Sequence, residues 1–229
     1  MFPASPIFFT SLLLLVPAII LSLYAQFKVK STFKKYSQVK AASGMTGAQA
    51  SRRLLDQAGL TDVPIEVIPG NLSDHYDPRK RVLRLSEAVA SKDSLASLGV
   101  AAHEAGHAIQ HANGYVPMKI RSAVVPAASF GSSLGPMIFL AGIFISSFRP
   151  LMTVGIVLFT AAVIFQIVTL PVEFDASSRA MKLLQNNGII VGEEAKSARK
   201  VLSAAALTYV AAALMSILTL VRMILISRE

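Results

Sequence analysis

Four long apolar stretches divide this chain into segments that can cross a membrane and segments that are too polar to do so. About 20 apolar residues span the hydrocarbon core of a bilayer as a helix, and each stretch is long enough. The first three contain no charged residue, and the fourth contains only Arg222, which we expect to snorkel to the lipid headgroups. The pattern predicts transmembrane helices over residues 7–27, 122–148, 151–172 and 203–226.

Two polar segments lie between these spans, residues 28–121 and residues 173–202, and we predict that the second is helical. In the first segment a capping box at Thr46 and Gln49 begins an amphipathic helix, which Gly59 ends. Alternating apolar residues and turn residues then predict a strand over 63–68, a loop over 69–78, a strand over 81–85 and a helix over 94–113. The predicted fold class is a mainly α membrane protein with a small α+β unit.

The composition supports a membrane location and excludes several kinds of chemistry. Of the 229 residues, 53% are hydrophobic and only 15% are charged, which is too apolar for an ordinary soluble domain. The chain has no cysteine, so disulfides, thiolate nucleophiles and cysteine-ligated metals are excluded. The net charge of +9 comes from Lys and Arg clustered beside the apolar spans. We therefore expect anionic lipid headgroups, and not nucleic acid, as the partner of these charges.

The basic residues also predict how the chain is oriented in the membrane. Five lysines and no acidic residue occur within residues 28–40, directly after the first span. By the positive-inside rule, residue 28 onward is cytoplasmic and the N-terminus lies outside. Two spans separate residues 28–121 from residues 173–202, so both polar segments emerge on the same side and can share one site.

The helix predicted over residues 94–113 contains the sequence His-Glu-Ala-Gly-His at residues 103–107. His103 and His107 lie one helical turn apart on one face, so both imidazoles can bind one metal ion. Glu104 lies beside them, where it can reach a water on that metal without binding the metal itself. This H-E-x-x-H arrangement is typical of zinc-dependent peptidases, in which the Glu is the general base.

Catalytic zinc usually has three protein ligands, so one more residue is required. His111 repeats the spacing, but it lies about 12 Å along the helix from His103, too far to share one ion with both histidines. Glu173 is the better candidate, at the inner end of the third span, where we expect a new helix to begin. Asp175 is its competitor.

Four ordered motifs resemble the YugP-like family of bacterial neutral zinc metallopeptidases, and the resemblance covers nearly the whole chain. The motifs are Asp74-His75-Tyr76-Asp77-Pro78, residues 102–110 around the two histidines, Leu170-Pro171-Val172-Glu173-Phe174-Asp175-Ala176-Ser177, and residues 201–209. The layout is also similar to that of the HtpX-type membrane proteases, in which a helix with the third ligand follows two spans after H-E-x-x-H.

The resemblance implies that His103, His107 and Glu173 bind one catalytic Zn²⁺ and that Glu104 is the base. It further implies a gluzincin-like unit, with residues 28–121 as the metallopeptidase segment, at the cytoplasmic face of a bacterial inner membrane. The sequence departs from the HtpX-type motif at one position: that motif has Asp after its Ala, whereas Ser177 follows Ala176 here. The side chain that supports the metal ligands in place of that Asp is then expected to be Asp175 or Arg179.

The chemistry implied is the hydrolysis of peptide bonds in unfolded or membrane-associated proteins. We expect the strand over residues 81–85 to present an exposed edge, to which an extended substrate adds through backbone hydrogen bonds. His75 or Tyr76 is expected to donate a hydrogen bond to the oxyanion, unless residues 74–78 are simply a turn.

Two other classes of function remain open at the level of sequence. In the first, the chain is a non-enzymatic, zinc-stabilised membrane adaptor, with Gly131 and Gly135 in an interface with membrane-protein partners or a second copy. In the second, a metal transporter, the metal-binding residues would have to lie within the membrane. The histidines and Glu173 lie outside the predicted spans, which disfavours a transporter.

Overall fold

A computed structural model describes residues 10–145 and 149–228, and it is mainly helical. After a 3-10 turn at Ser11–Leu15, ten elements follow in the described residues. They are α1 (Val16–Tyr36), α2 (Gly47–Gln57), β1 (Ile65–Ile68), β2 (His75–Asp77), β3 (Val82–Ser86), α3 (Glu87–Ala90), α4 (Leu95–Ala112), α5 (Val116–Phe144), α6 (Pro150–Asn186) and α7 (Glu193–Ser227). The chain is thus a mainly α membrane protein with a small three-stranded sheet, as predicted.

Four helical segments of the described chain are long and apolar enough to cross a membrane: Ser11–Tyr36, α5, α6 and α7. Helices α6 and α7 have 37 and 35 residues, so they extend well beyond a bilayer core of about 30 Å. Where the membrane begins and ends along these helices therefore stays a prediction. The first nine residues, which include the start of the predicted first span, lie outside the described residues, as do residues 146–148.

Helix α6 runs without interruption past Pro171, so the expectation that a new helix begins near Glu173 was wrong. Proline removes a backbone donor and normally breaks a helix. Beyond Pro171, four apolar residues at helical spacing form a stripe along one face of α6. All of them are fully buried: Val172, Ala176, Ala180 and Leu184. Burial of this stripe favours continued helix strongly enough to offset the lost hydrogen bond.

The chain divides into two compact units, and the first consists of residues 26–118 and 171–207. Helix α4 lies in its core, where Leu98, Ala101, Ala102 and Ala105 are fully buried. Val172, Ala180 and Leu184 of the α6 stripe belong to the same hydrophobic cluster, as do the sheet residues Leu83 and Leu85. We call this part the mixed unit, because it contains the sheet and α4.

The sheet of the mixed unit has the strand order β1-β3-β2, with β1 parallel and β2 antiparallel to β3. The strand expected to offer a free edge is therefore the central one, and that expectation was wrong. The loop predicted over residues 69–78 contains β2, whose pairing is supported by polar contacts. Asp74 accepts hydrogen bonds from the backbone and hydroxyl of Ser86, and Arg84 donates to Asp77. Hydrophobic alternation could not reveal a strand held in this way.

The second unit consists of residues 10–25, 119–170 and 208–228 among the described residues. Within it, α5 and α6 pack at backbone contact distance through glycines. A Cβ atom at Gly131 would clash with the Leu158 carbonyl oxygen, and one at Gly135 would lie 3.0 Å from the carbonyl oxygen of Gly155. Gly131 and Gly135 therefore face another helix of the same chain, whereas the adaptor hypothesis assigned them to an interface with a partner. Arg222, expected to snorkel, donates to Ser11 Oγ at 3.2 Å.

Candidate metal centre

Helix α4 presents His103 and His107 in the middle of a well-anchored helix. Ser94 caps its N-terminus by accepting from the Ser97 backbone N–H, and Gly114 follows its end with a positive φ of 63°. The two imidazole rings have centroids 4.6 Å apart, as the i, i+4 spacing requires. The helix therefore holds two imidazoles rigidly in an arrangement that could bind one metal ion.

Glu173 of α6 completes a group of three residues that could hold a metal ion. Its Oε2 atom lies 3.1 Å from His103 Nε2 and 3.5 Å from His107 Nε2. One ligand atom from each residue lies within 4.8 Å of the other two. Glu173 is only 1% exposed, so an ionised carboxylate is held here largely away from water. Neither Asp175 nor His111 belongs to this group.

The charges of the group fit a bound cation. Burial alone would raise the pKa of the Glu173 carboxyl, but hydrogen bonds and charges from both imidazoles outweigh it and hold the pKa well below its usual range. Burial lowers the pKa of His107, while its hydrogen bond to Glu173 and the charge of Glu104 raise it to a net value above the usual one. Two imidazoles and one carboxylate are a ligand set that catalytic zinc takes.

The close crossing of α4 and α6 brings Glu173 to the histidines. Gly106 lies between the two histidines in sequence, and a Cβ atom there would lie only 2.8 Å from the Ala176 carbonyl oxygen. The absent side chain lets the backbones of the two helices meet. Glu173, three residues before Ala176, is thereby placed one turn away from this contact.

Further polar side chains contact the imidazoles at their Nδ1 atoms, whereas Glu173 faces their Nε2 atoms. Ser177 Oγ lies 3.1 Å from His103 Nδ1, and Gln110 Oε1 lies 3.0 Å from His107 Nδ1. Asp175 contacts Gln110 and forms an ion pair with Arg179. Ser177 itself therefore supports His103, a role for which the sequence had suggested Asp175 or Arg179. Gln110 was not predicted, although its position three residues after His107 placed it on the same face.

Glu104 follows His103 in sequence but is not one of the three residues that could hold the metal ion. Its Oε2 atom accepts a hydrogen bond of 3.0 Å from the Tyr76 backbone N–H of β2, and the residue is 8% exposed. This contact restrains one carboxylate oxygen. It also places β2, an edge strand of the sheet, directly against the base candidate.

His75 and Tyr76, the predicted site residues of the 74–78 motif, lie next to each other in β2, and their side chains point in different directions. The exposed His75 places Nδ1 2.8 Å from the Ser73 carbonyl oxygen, and the hydroxyl of the buried Tyr76 lies within hydrogen-bond distance of His111 Nδ1, at 2.9 Å. Tyr76 and His111 line a cavity of about 330 Å³ together with Arg81. Burial raises the pKa of the Tyr76 hydroxyl. The roles of His75 and Tyr76 at an oxyanion stay a prediction.

The fold and site together define a membrane protein with the His-Glu-x-x-His helix and distal glutamate of the zinc metallopeptidases. Residues 11–228 match the family described as "Putative neutral zinc metallopeptidase", and the chain belongs to this family. It is 51% identical over 213 residues, which cover 93% of this chain and 94% of the relative, to the "Putative membrane protease YugP" of Bacillus subtilis (strain 168). No solved structure matches the chain.

Proposed function

We propose that this protein is a zinc-dependent peptidase that hydrolyses peptide bonds of unfolded or membrane-associated proteins at the cytoplasmic face of a bacterial inner membrane. The observation that carries the proposal is the convergence of His103, His107 and the buried Glu173 beside Glu104. These three residues would hold one Zn²⁺ as the cofactor. The partners are a polypeptide substrate and the lipid bilayer.

Glu104 is the general base of the proposed reaction. When bound, zinc polarises the substrate carbonyl and lowers the pKa of a bound water to about 7. Glu104 would accept a proton from the attacking water and then donate it to the leaving amine. The Tyr76 N–H restrains Oε2 of Glu104, so the other carboxylate oxygen is available for the proton.

We further propose that an extended substrate pairs with β2, the edge strand beside Glu104. The Tyr76 N–H faces Glu104 and not β3, and in an antiparallel strand the carbonyl of the same residue faces the same side. The Tyr76 carbonyl can therefore accept a hydrogen bond from a substrate backbone N–H. Recognition would depend on extended conformation more than on side chains.

Replacing the base tests the proposed mechanism. Glu104→Gln keeps the size of the side chain but cannot accept the proton, so we expect casein cleavage to fall by about 10²- to 10⁴-fold while the zinc content is unchanged. Cleavage rate and zinc content of the purified protein are measured together, with Glu193→Gln, an exposed acid on α7, as control. Undiminished cleavage would eliminate Glu104 as the base. A wild-type protein that holds zinc but cleaves nothing would favour the adaptor function.

The proposed oxyanion role of His75 and Tyr76 is tested by removing the donors singly. Tyr76→Phe removes the hydroxyl that contacts His111, and His75→Ala removes an exposed imidazole. If either donates to the oxyanion, kcat falls by about 10²-fold or more with little change in KM. Wild-type kcat in both variants would eliminate the two side chains as oxyanion donors and leave residues 74–78 only their backbone roles in β2 and beside Glu104.

A further inference from the structure

Gln110 is a fully buried amide that connects His107 to helix α6. Its Oε1 atom lies 3.0 Å from His107 Nδ1. Its Nε2 atom donates two hydrogen bonds, to the Val172 carbonyl oxygen at 2.8 Å and to Asp175 Oδ2 at 2.7 Å. The side chain is 0% exposed, so its polar atoms depend on these partners and not on water.

The partners of Gln110 allow only one orientation of its amide. A carbonyl oxygen and a carboxylate oxygen are both acceptors, so the NH₂ group has to face them. Asp175 is held as an acceptor because its Oδ2 atom also receives a bond from Arg179 Nε. Inverting the amide would place its oxygen against two acceptors and leave buried groups without partners, at considerable cost. The oxygen of Gln110 therefore faces His107.

The orientation of Gln110 decides which imidazole nitrogen of His107 carries the proton. An amide oxygen at Nδ1 accepts from Nδ1–H, which leaves the Nε2 lone pair directed at the position of the metal. Glu173 opposes this arrangement, because its carboxylate favours a proton on Nε2. That contact is 3.5 Å, longer than the 3.0 Å contact to Gln110, so the bond at Nδ1 is the better one.

We propose that Gln110 is a positioning residue that holds neutral His107 in the Nδ1–H tautomer before zinc binds, and that it takes its own orientation from α6. Val172 directly precedes Glu173, so the anchor of the amide and the third ligand belong to the same turn of α6. When this turn of α6 packs against α4, it orients the His107 ring through Gln110 and also positions Glu173 at the site. The inference rests on the proposed function only in taking His107 as a zinc ligand.

Two variants separate this role from simple packing. Gln110→Met fills a similar volume but removes the acceptor at Nδ1, so neutral His107 should change to the Nε2–H tautomer facing Glu173. Gln110→Glu keeps the acceptor but loses both donors, so it disturbs packing against α6 and yet should retain the Nδ1–H tautomer. The matched control is Gln57→Met, a glutamine at the exposed end of α2.

The tautomer is read from ¹⁵N NMR of the full-length, zinc-free protein labelled at its four histidines, at a pH where the His107 signals show a neutral ring. His107→Gln assigns the signals. Zinc affinity is measured on the same samples by chelator competition, and Gln110→Met should weaken it by about 10- to 100-fold.

The proposal is overturned if Gln110→Met keeps both the tautomer and the zinc affinity of the wild type, or if Gln110→Glu shows the Nε2–H tautomer. Should Gln110→Met fail to fold, the Gln110→Glu spectrum decides. The zinc-free spectrum does not depend on catalysis. A wild type that binds no zinc but shows Nδ1–H would contradict the proposed function and leave the positioning role of Gln110 intact.

Discussion

The two glutamates of the site have different neighbours, and this difference supports the different roles that we propose for them. Glu173 lies between two imidazoles, whose hydrogen bonds keep it ionised despite burial. Glu104 instead accepts from a backbone N–H of β2 and is not part of the metal group. A carboxylate surrounded by metal-binding nitrogens serves as a ligand, whereas one that only adjoins them can serve as a base.

At the scale of single residues, Ser177 is expected to tune the metal site through His103. Ser177→Ala removes the hydroxyl 3.1 Å from Nδ1, so the ring loses the partner that orients it. We expect zinc affinity to fall by about 10-fold, measured by chelator competition. Ser178→Ala, the exposed neighbour on α6, is the matched control. Equal affinities of the two variants would show that the hydroxyl does not hold His103.

At the scale of elements, the site depends on how closely α4 approaches α6. Gly106 and Gly99 lie on the same helix, but only Gly106 is in backbone contact with α6. At Gly99 the nearest atom to an added Cβ is the Ala198 carbonyl oxygen of α7, at an ordinary 3.8 Å. The two glycines therefore offer a comparison in which local helix propensity is the same and packing differs.

Gly106→Ala should push the helices apart, whereas Gly99→Ala should be tolerated. Overpacking at a backbone contact costs about 1–3 kcal/mol in the free energy of unfolding. In an open helix position, by contrast, alanine is favoured over glycine by up to about 1 kcal/mol. We expect a lower Tm by circular dichroism and weaker zinc binding for Gly106→Ala alone. Equal effects of the two substitutions would contradict a role for the close crossing.

At the scale of the whole molecule, the proposed site requires that residues 28–118 and 171–202 emerge on one side of the membrane. The basic residues after the first span predict the cytoplasmic side. Helices α5 and α6 are the two candidate membrane spans between these segments. The turn near Arg149 should then lie on the opposite side.

The absence of native cysteine makes this topology directly measurable. We introduce single cysteines at exposed positions, Ser91→Cys and Gln185→Cys in the polar segments and Arg149→Cys in the turn. An impermeant maleimide should label the first two in inverted membrane vesicles and the third in intact spheroplasts. Labelling of Ser91→Cys and Gln185→Cys from opposite sides would exclude a shared site.

The sequence by itself determined the features that depend on neighbours in the chain. Hydropathy over about 20 residues identifies spans, and the i, i+4 spacing places His103 and His107 on one helical face. Resemblance to a family also indicated Glu173. The paired β2 strand and the continuous α6 were missed, because Asp74 and Arg84 hold the first, and burial of an apolar stripe overrides Pro171 in the second.

Only the tertiary structure decided which distant groups meet. Glu173 lies 70 residues from His103 in sequence, and it reaches the imidazole because α4 and α6 cross at Gly106. Asp175, two positions away, turns instead to Gln110, since successive residues of a helix point about 100° apart. The partners of the imidazoles, Gln110 and Ser177, follow from the same crossing. Local spacing cannot encode such contacts, because they depend on the angle and separation of two helices that are far apart in sequence.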